Sequence, residues 1–199
     1  DLFTNSDLLI ILICYFLGSI PCGLLISKLL RKDDPRQSGS KNIGATNMLR
    51  ISGWKVGLLT LILDVAKAYI PLMLLIKSLN FTHIEEAILA IFIGHLFPVW
   101  IKFKGGKGIA VLIGSLLAYN PIYGQFYVLI WLLTALITRY SSLAALVALI
   151  STSLFVFTKN DDLLFVMLFI LTLIIYKHKA NILRLFKGQE SKIILKKKN

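Results

Sequence analysis

Seven apolar stretches, at about residues 8–30, 56–76, 86–101, 108–118, 122–138, 141–157 and 163–176, take up most of this chain, with only short polar connections between them. The chain has 199 residues, 57% hydrophobic and 16% charged, with a mean hydropathy of +0.78. A soluble domain with one core has no use for so much apolar surface. The expected fold is an all-α polytopic membrane protein of seven transmembrane helices, forming a single integral membrane domain over residues 1–199. The polar loops fall at about 31–55 and 102–108, and a basic tail runs from 178 to 199.

The formal net charge of +12 would suit nucleic acid, but its distribution points to a bilayer. Basic residues fall almost entirely in every second connection. Lys28, Arg31, Lys32, Arg36, Lys41, Arg50 and Lys55 surround the first loop, Lys102, Lys104 and Lys107 the third, and Arg139 the fifth; more run from Lys177 to Lys198. The opposite side carries Lys77 and Lys159 beside Asp1, Asp7, Glu85, Glu86, Asp161 and Asp162. By the positive-inside rule the N-terminus is outside, the C-terminus is cytoplasmic and no nucleic-acid partner is expected.

The first apolar stretch is too long for a signal-peptide core and reads as a retained span. Cys14 and Cys22 lie about 12 Å apart along it, beyond disulfide reach, and are expected to pack. Gly18, Pro21 and Gly23 should kink this helix. The fourth stretch is too short to cross about 30 Å of hydrocarbon. Either it begins in protein-lined polar space or the Asn120-Pro121 turn is drawn inward; a re-entrant hairpin would leave the basic tail outside. A start at Gly108 would aim the helix's unpaired amides at the preceding loop, favouring an anion.

Two runs carry the chemistry: SGSKNIGATNMLR at Ser38 to Arg50 and FKGGKG at Phe103 to Gly108. Glycines Gly44, Gly105, Gly106 and Gly108 let backbone N–H groups turn toward an anion. Ser40, Asn42, Thr46 and Asn47 offer neutral donors, while Arg50, Lys104 and Lys107 supply charge. The lysines alone would serve as topology determinants, but orientation signals need no flexible backbone. FKGGKG is no Walker A loop, because Ile101 replaces the first glycine and Gly108 the magnesium-binding hydroxyl.

Asp64 and Lys67, at i and i+3 inside the second span, share one helix face; a functional role and a self-compensated pair bracing a neighbouring helix carry equal weight. His95 ends the third span just before the lysine loop. His178 and Asn181 share a helix face at the start of the tail, and His83 is expected to be solvated on the outer side. No His, Cys and carboxylate cluster has metal-ligand spacing, so no metal is expected, and no Ser-His-Asp arrangement is visible.

Together with these runs, GSIPCG at Gly18 to Gly23, GHLFPVWIKFKGGKG at Gly94 to Gly108, TRYSSL at Thr138 to Leu143 and HKANILRL from His178 resemble the bacterial acyl-phosphate:glycerol-3-phosphate acyltransferase family, PlsY, over nearly the whole chain. The resemblance implies a seven-span inner-membrane enzyme with a cytoplasmic active site. It would move a fatty acyl group from acyl phosphate to the 1-hydroxyl of glycerol 3-phosphate, forming lysophosphatidic acid and inorganic phosphate without CoA or metal. It assigns catalytic or phosphate-binding roles to Ser40, Arg50, Lys107, His178 and Asn181. Lys41, Asn42, Gly44, Thr46, Asn47, His95, Lys104, Gly105, Gly106 and Gly108 are adjacent substrate-binding candidates. Lys41 departs from the family's expected glycine, and Ala180 stands where an acidic residue often precedes the Asn.

Acyl phosphate is already activated, so alignment and charge stabilisation are the protein's main tasks. Direct attack by the glycerol hydroxyl suffices, with either His178 or the departing phosphate taking the proton; the lack of a carboxylate to orient a His base favours the phosphate. A transporter of phosphorylated metabolites is the competing class. It would expect midplane substrate groups and internal repeats, and neither is visible.

Overall fold

The computed structural model describes residues 3–193; Asp1 and the tail lysines Lys196, Lys197 and Lys198, counted above as topology signals, lie outside the described residues. All regular elements among the described residues are helical. In chain order they are α1 (Asn5–Gly18), α2 (Cys22–Leu29), α3 (Ala45–Ser52), α4 (Trp54–Ser78), α5 (Ile84–Leu96), a 3-10 turn at Val99–Ile101, α6 (Ile109–Tyr119), α7 (Pro121–Thr138), α8 (Ser141–Thr158) and α9 (Leu163–Phe186). The chain divides into two compact units, Asp1–Pro121 and Ile122–Asn199.

Five helices are long and apolar enough to cross a membrane, and α1 with α2 makes a sixth if the bent pair is one span. The pair is bent by 43°, at the Ser19-Ile20-Pro21 break the glycines and proline predict. Helix α6 has 11 residues, about 16 Å of rise, so it is short for a straight crossing.

In the first unit α1 lies against α5 and α4 against α6. The α1–α5 approach is backbone to backbone: a Cβ on Gly18 would strike the Ile91 backbone, and one on Gly94 the backbone of Tyr15. Tyr15 Oη donates to the Phe97 carbonyl at 2.8 Å, which fixes the end of α5 where the glycine-lysine loop begins. Tyr119 Oη donates to Glu85 Oε1 at 3.0 Å, joining the far end of α6 to the start of α5. Cys14 and Cys22 are buried and free, in packing positions.

Two local readings change. The stretch from Ala45, expected as part of the polar loop 31–55, is helix α3 with Gly44 as its N-cap, because Met48 and Ile51 bury against Ile26 and Val56 and give the segment an apolar face. His83 is not simply solvated. Its ring lies 4.3 Å from that of Phe3 and 5.8 Å from Phe81, with carboxylate oxygens of Asp7 and Glu86 at 3.9 and 3.8 Å.

In the second unit α8 packs on α9. The buried Tyr127 of α7 donates to the Ala145 carbonyl at 3.2 Å, tying α7 to α8. Tyr123 donates to Asp161 Oδ2 at 2.9 Å, and the Asp161 carboxylate also accepts from Leu163 N–H at 3.0 Å at the start of α9.

Candidate active site

The first loop is built around Asn47. Its side chain is buried on α3, and its Oδ1 accepts from Ser40 N–H at 2.8 Å. Its Nδ2 lies 3.0, 3.1 and 2.8 Å from the carbonyls of Pro35, Ser38 and Asn42. An amide nitrogen has two protons, so one of these three contacts is shared. Asn47 thus sets the path of residues 35–42 rather than only lining it. Ser40 and Lys41 are exposed, while Asn42, Gly44, Thr46 and Arg50 are half-buried. Thr46 and Arg50 stand four apart on α3 and share a face. Lys41, the departure from glycine, has φ +58°, the left-handed region in which glycine is favoured. At the loop's entrance Arg36 donates to Asp34 at 2.6 Å, and this hydrogen bond holds the Asp34 carboxyl below its ordinary value.

The second loop folds back onto the end of α5. Phe103 N–H donates to the Pro98 carbonyl at 2.9 Å and Lys104 N–H to Ile101 at 3.2 Å. Gly105 N–H donates to Leu96 at 3.2 Å and Gly106 N–H to His95 at 3.1 Å. Lys102 and Phe103 both take left-handed backbone, which makes the reversal. Gly106 rests on the His95 imidazole so closely that a Cβ would meet Nε2, Cε1 and Cδ2. Lys104 is exposed. Lys107 is half-buried between the buried Gly106 and Gly108, two residues before α6 begins at Ile109. The leading amides of α6 therefore follow directly on the lysine-bearing loop.

The second unit places His178 and Asn181 on one buried face of α9, which continues past the predicted span end to Phe186. His178 Nδ1 lies 2.9 Å from the Ile174 carbonyl. A carbonyl only accepts, so Nδ1 carries the proton, and in the neutral ring Nε2 is the basic nitrogen. Asn181 is gripped by Glu190, whose Oε1 accepts from Asn181 Nδ2 at 2.6 Å and from Ser142 Oγ at 2.9 Å. Arg184 Nε donates to the other carboxylate oxygen at 2.7 Å. Burial alone would raise the Glu190 carboxyl, but these hydrogen bonds and the Arg184 charge bring it below the ordinary carboxylate value. The segment after α9 is strapped to Arg139, whose carbonyl accepts from Ile193 N–H at 2.7 Å and whose guanidinium donates to the Ile193 carbonyl at 3.1 Å. Sequence reasoning gave no role to Glu190 or Ser142. Glu190 is the one carboxylate in the basic tail, which is the signal that marks it.

The structure thus gathers the predicted residues into three groups: Ser40 to Arg50, His95 with Lys104 to Gly108, and His178 with Asn181. No group of three or more His, Cys, Asp or Glu side chains suited to a metal ion occurs among the described residues.

Residues 8–188 match the family model described as glycerol-3-phosphate acyltransferase. The chain is 40% identical to the glycerol-3-phosphate acyltransferase of Paraburkholderia phytofirmans, over 97% of this chain and 94% of that one. It is 45% identical to that of Bartonella henselae, over 96% and 94%. Among solved structures it is similar to PlsY (YgiH), an integral membrane glycerol 3-phosphate acyltransferase, in its glycerol 3-phosphate form (TM-score 0.89, 41% identity, 94% of this chain and 96% of that one). The lysophosphatidic acid form matches with TM-score 0.86 and 40% identity, over 94% and 95% of the two chains. A family model spanning this much of the chain, with relatives this similar over nearly their full length, leads to one conclusion: the chain belongs to the glycerol-3-phosphate acyltransferase family.

Proposed function

We propose that this protein transfers a fatty acyl group from acyl phosphate to the 1-hydroxyl of glycerol 3-phosphate, giving lysophosphatidic acid and inorganic phosphate for phospholipid synthesis. The observation that carries the reading is the loop 103–108. Three glycines and two lysines fold back on His95 and lead directly into the amides of α6, an arrangement suited to a phosphate.

In the reaction the glycerol hydroxyl oxygen attacks the acyl carbonyl carbon, the carbon–oxygen bond to phosphate breaks, and the hydroxyl proton leaves with the phosphate. Arg50, with its planar fork, and Lys104 and Lys107, as point charges, hold the phosphates and stabilise charge on the departing group. Ser40 and Asn181 orient the hydroxyl or the carbonyl. Asn42, Thr46 and the turn at Gly44 support the first loop's anion contacts, and Asn47 shapes that loop from within. His178 positions the acceptor. The departing phosphate is the preferred proton acceptor, because the Nδ1 partner of His178 is a neutral carbonyl that adds less basicity to Nε2 than a carboxylate would.

The protein sits in the bacterial inner membrane with seven crossings, its N-terminus outside and its loops 31–55 and 102–108 in the cytoplasm. The bent α1–α2 pair counts as one crossing and the short α6 as another; the charge alternation supports this arrangement. Purified protein incubated with palmitoyl phosphate and radiolabelled glycerol 3-phosphate should form labelled lysophosphatidic acid. A transporter or a noncatalytic lipid-binding protein would leave the label unesterified.

A further inference from the structure

Inside the first unit, three elements meet at the Lys67 ammonium. Lys67 Nζ lies 2.8 Å from Asp64 Oδ1, 2.7 Å from the Ile20 carbonyl at the α1–α2 break, which also accepts from Cys22 N–H, and 2.9 Å from His95 Nδ1. The side chains of Lys67 and Asp64 are 6% and 3% exposed, and the Cys22 thiol faces the Asp64 carboxylate. An ammonium has protons to give and no lone pair to receive one; this one donates to the Ile20 carbonyl and is ion-paired with the Asp64 carboxylate. Nδ1 of His95 must therefore accept, which puts the imidazole proton on Nε2. A protonated ring would set two cations 2.9 Å apart in a site with one carboxylate.

A pair that only braced neighbouring helices would need Asp64, Lys67 and the Ile20 carbonyl. The third contact, to His95, has a different consequence, because the far edge of that ring supports Gly106 and the His95 carbonyl receives the Gly106 amide. We propose that Asp64 and Lys67 are positioning residues for the loop 103–108: their ion pair locks His95 as the neutral ring with its proton on Nε2, and this edge sets the backbone that carries Lys107. An anion held by the loop then meets a preset backbone beside a neutral Nε2–H donor, without a second cation in the apolar interior. The proposal rests on reading this loop as phosphate-binding.

The test uses the full chain in lipid nanodiscs, with histidines labelled with nitrogen-15 and the His95 signals assigned by His95→Gln. Wild type should show His95 as a single Nε2–H tautomer near neutral pH. The double variant Asp64→Asn/Lys67→Met removes both charges together, leaving no lone buried charge. It should mix the two tautomers and lose roughly tenfold in kcat/KM, chiefly through KM for glycerol 3-phosphate. An Nδ1–H or imidazolium form in the wild type would overturn the proposal even if the double variant failed to fold. So would a folded double variant that melted at lower temperature but kept the tautomer and the wild-type kinetics, since that is bracing alone. Failure of the acyl-transfer reading looks different: wild type would make no lysophosphatidic acid while His95 kept its Nε2–H tautomer.

Discussion

At the scale of single residues, the proposed phosphate contacts and the residues that shape the loops should respond differently to substitution. Arg50→Lys keeps the charge but loses the planar fork, and Lys107→Ala removes a point charge; each should lower turnover by roughly 10²-fold in inserted, folded protein. Near-normal turnover would return both residues to the role of orientation signals. Lys41 makes the opposite case. It holds a left-handed backbone at the position where the resemblance expects glycine, so Lys41→Gly should raise stability in thermal unfolding by about 0.5–1 kcal/mol, and a β-branched Lys41→Val should lower it. Equal melting of all three would remove the conformational account of that departure. The candidate donors and cations of the loops could be read from residue type and glycine spacing. The burial of Asn47 under the loop could not, because an asparagine that binds ligand and one that binds backbone look alike in sequence.

At the scale of elements, the end of α9 is held by polar contacts that reach far along the chain. Glu190 joins Ser142, Asn181 and Arg184, and its carboxyl lies below its ordinary value. A group depressed in the folded state contributes stability that is present above its unfolded value and is lost as pH falls through the folded one. Glu190→Gln should therefore lower thermal stability by about 1–3 kcal/mol at neutral pH, and the gap to wild type should shrink as the medium is acidified into and below the carboxylate range. A gap that stayed constant across that range would show that the charge is not what holds the bracket. The contacts behind this were not legible in sequence: Ser142 and Glu190 lie 48 residues apart, and no helical period links them. The kink at Ser19 to Pro21, by contrast, was readable from proline and glycine alone. Helix α3 was missed because its polar ligand candidates hide a short apolar face, made by Met48 and Ile51, that becomes visible only against Ile26 and Val56.

At the scale of the whole molecule, the proposed membrane topology and the proposed reaction can each be tested directly. With Cys14 and Cys22 replaced, single cysteines at Ser38, Lys102 and Gln189 should be shielded from an impermeant reagent in intact cells, whereas ones at Asn80 and Asn160 should label. Labelling at position 189 from outside would break the seven-span arrangement. Donor choice by the purified protein, with and without EDTA, tests the proposed reaction most sharply. Strong transfer from palmitoyl phosphate to glycerol 3-phosphate, little from palmitoyl-CoA, inhibition by inorganic phosphate and full activity in EDTA are expected. Comparable use of palmitoyl-CoA, or activity lost in EDTA and restored by magnesium, would contradict the proposed reaction.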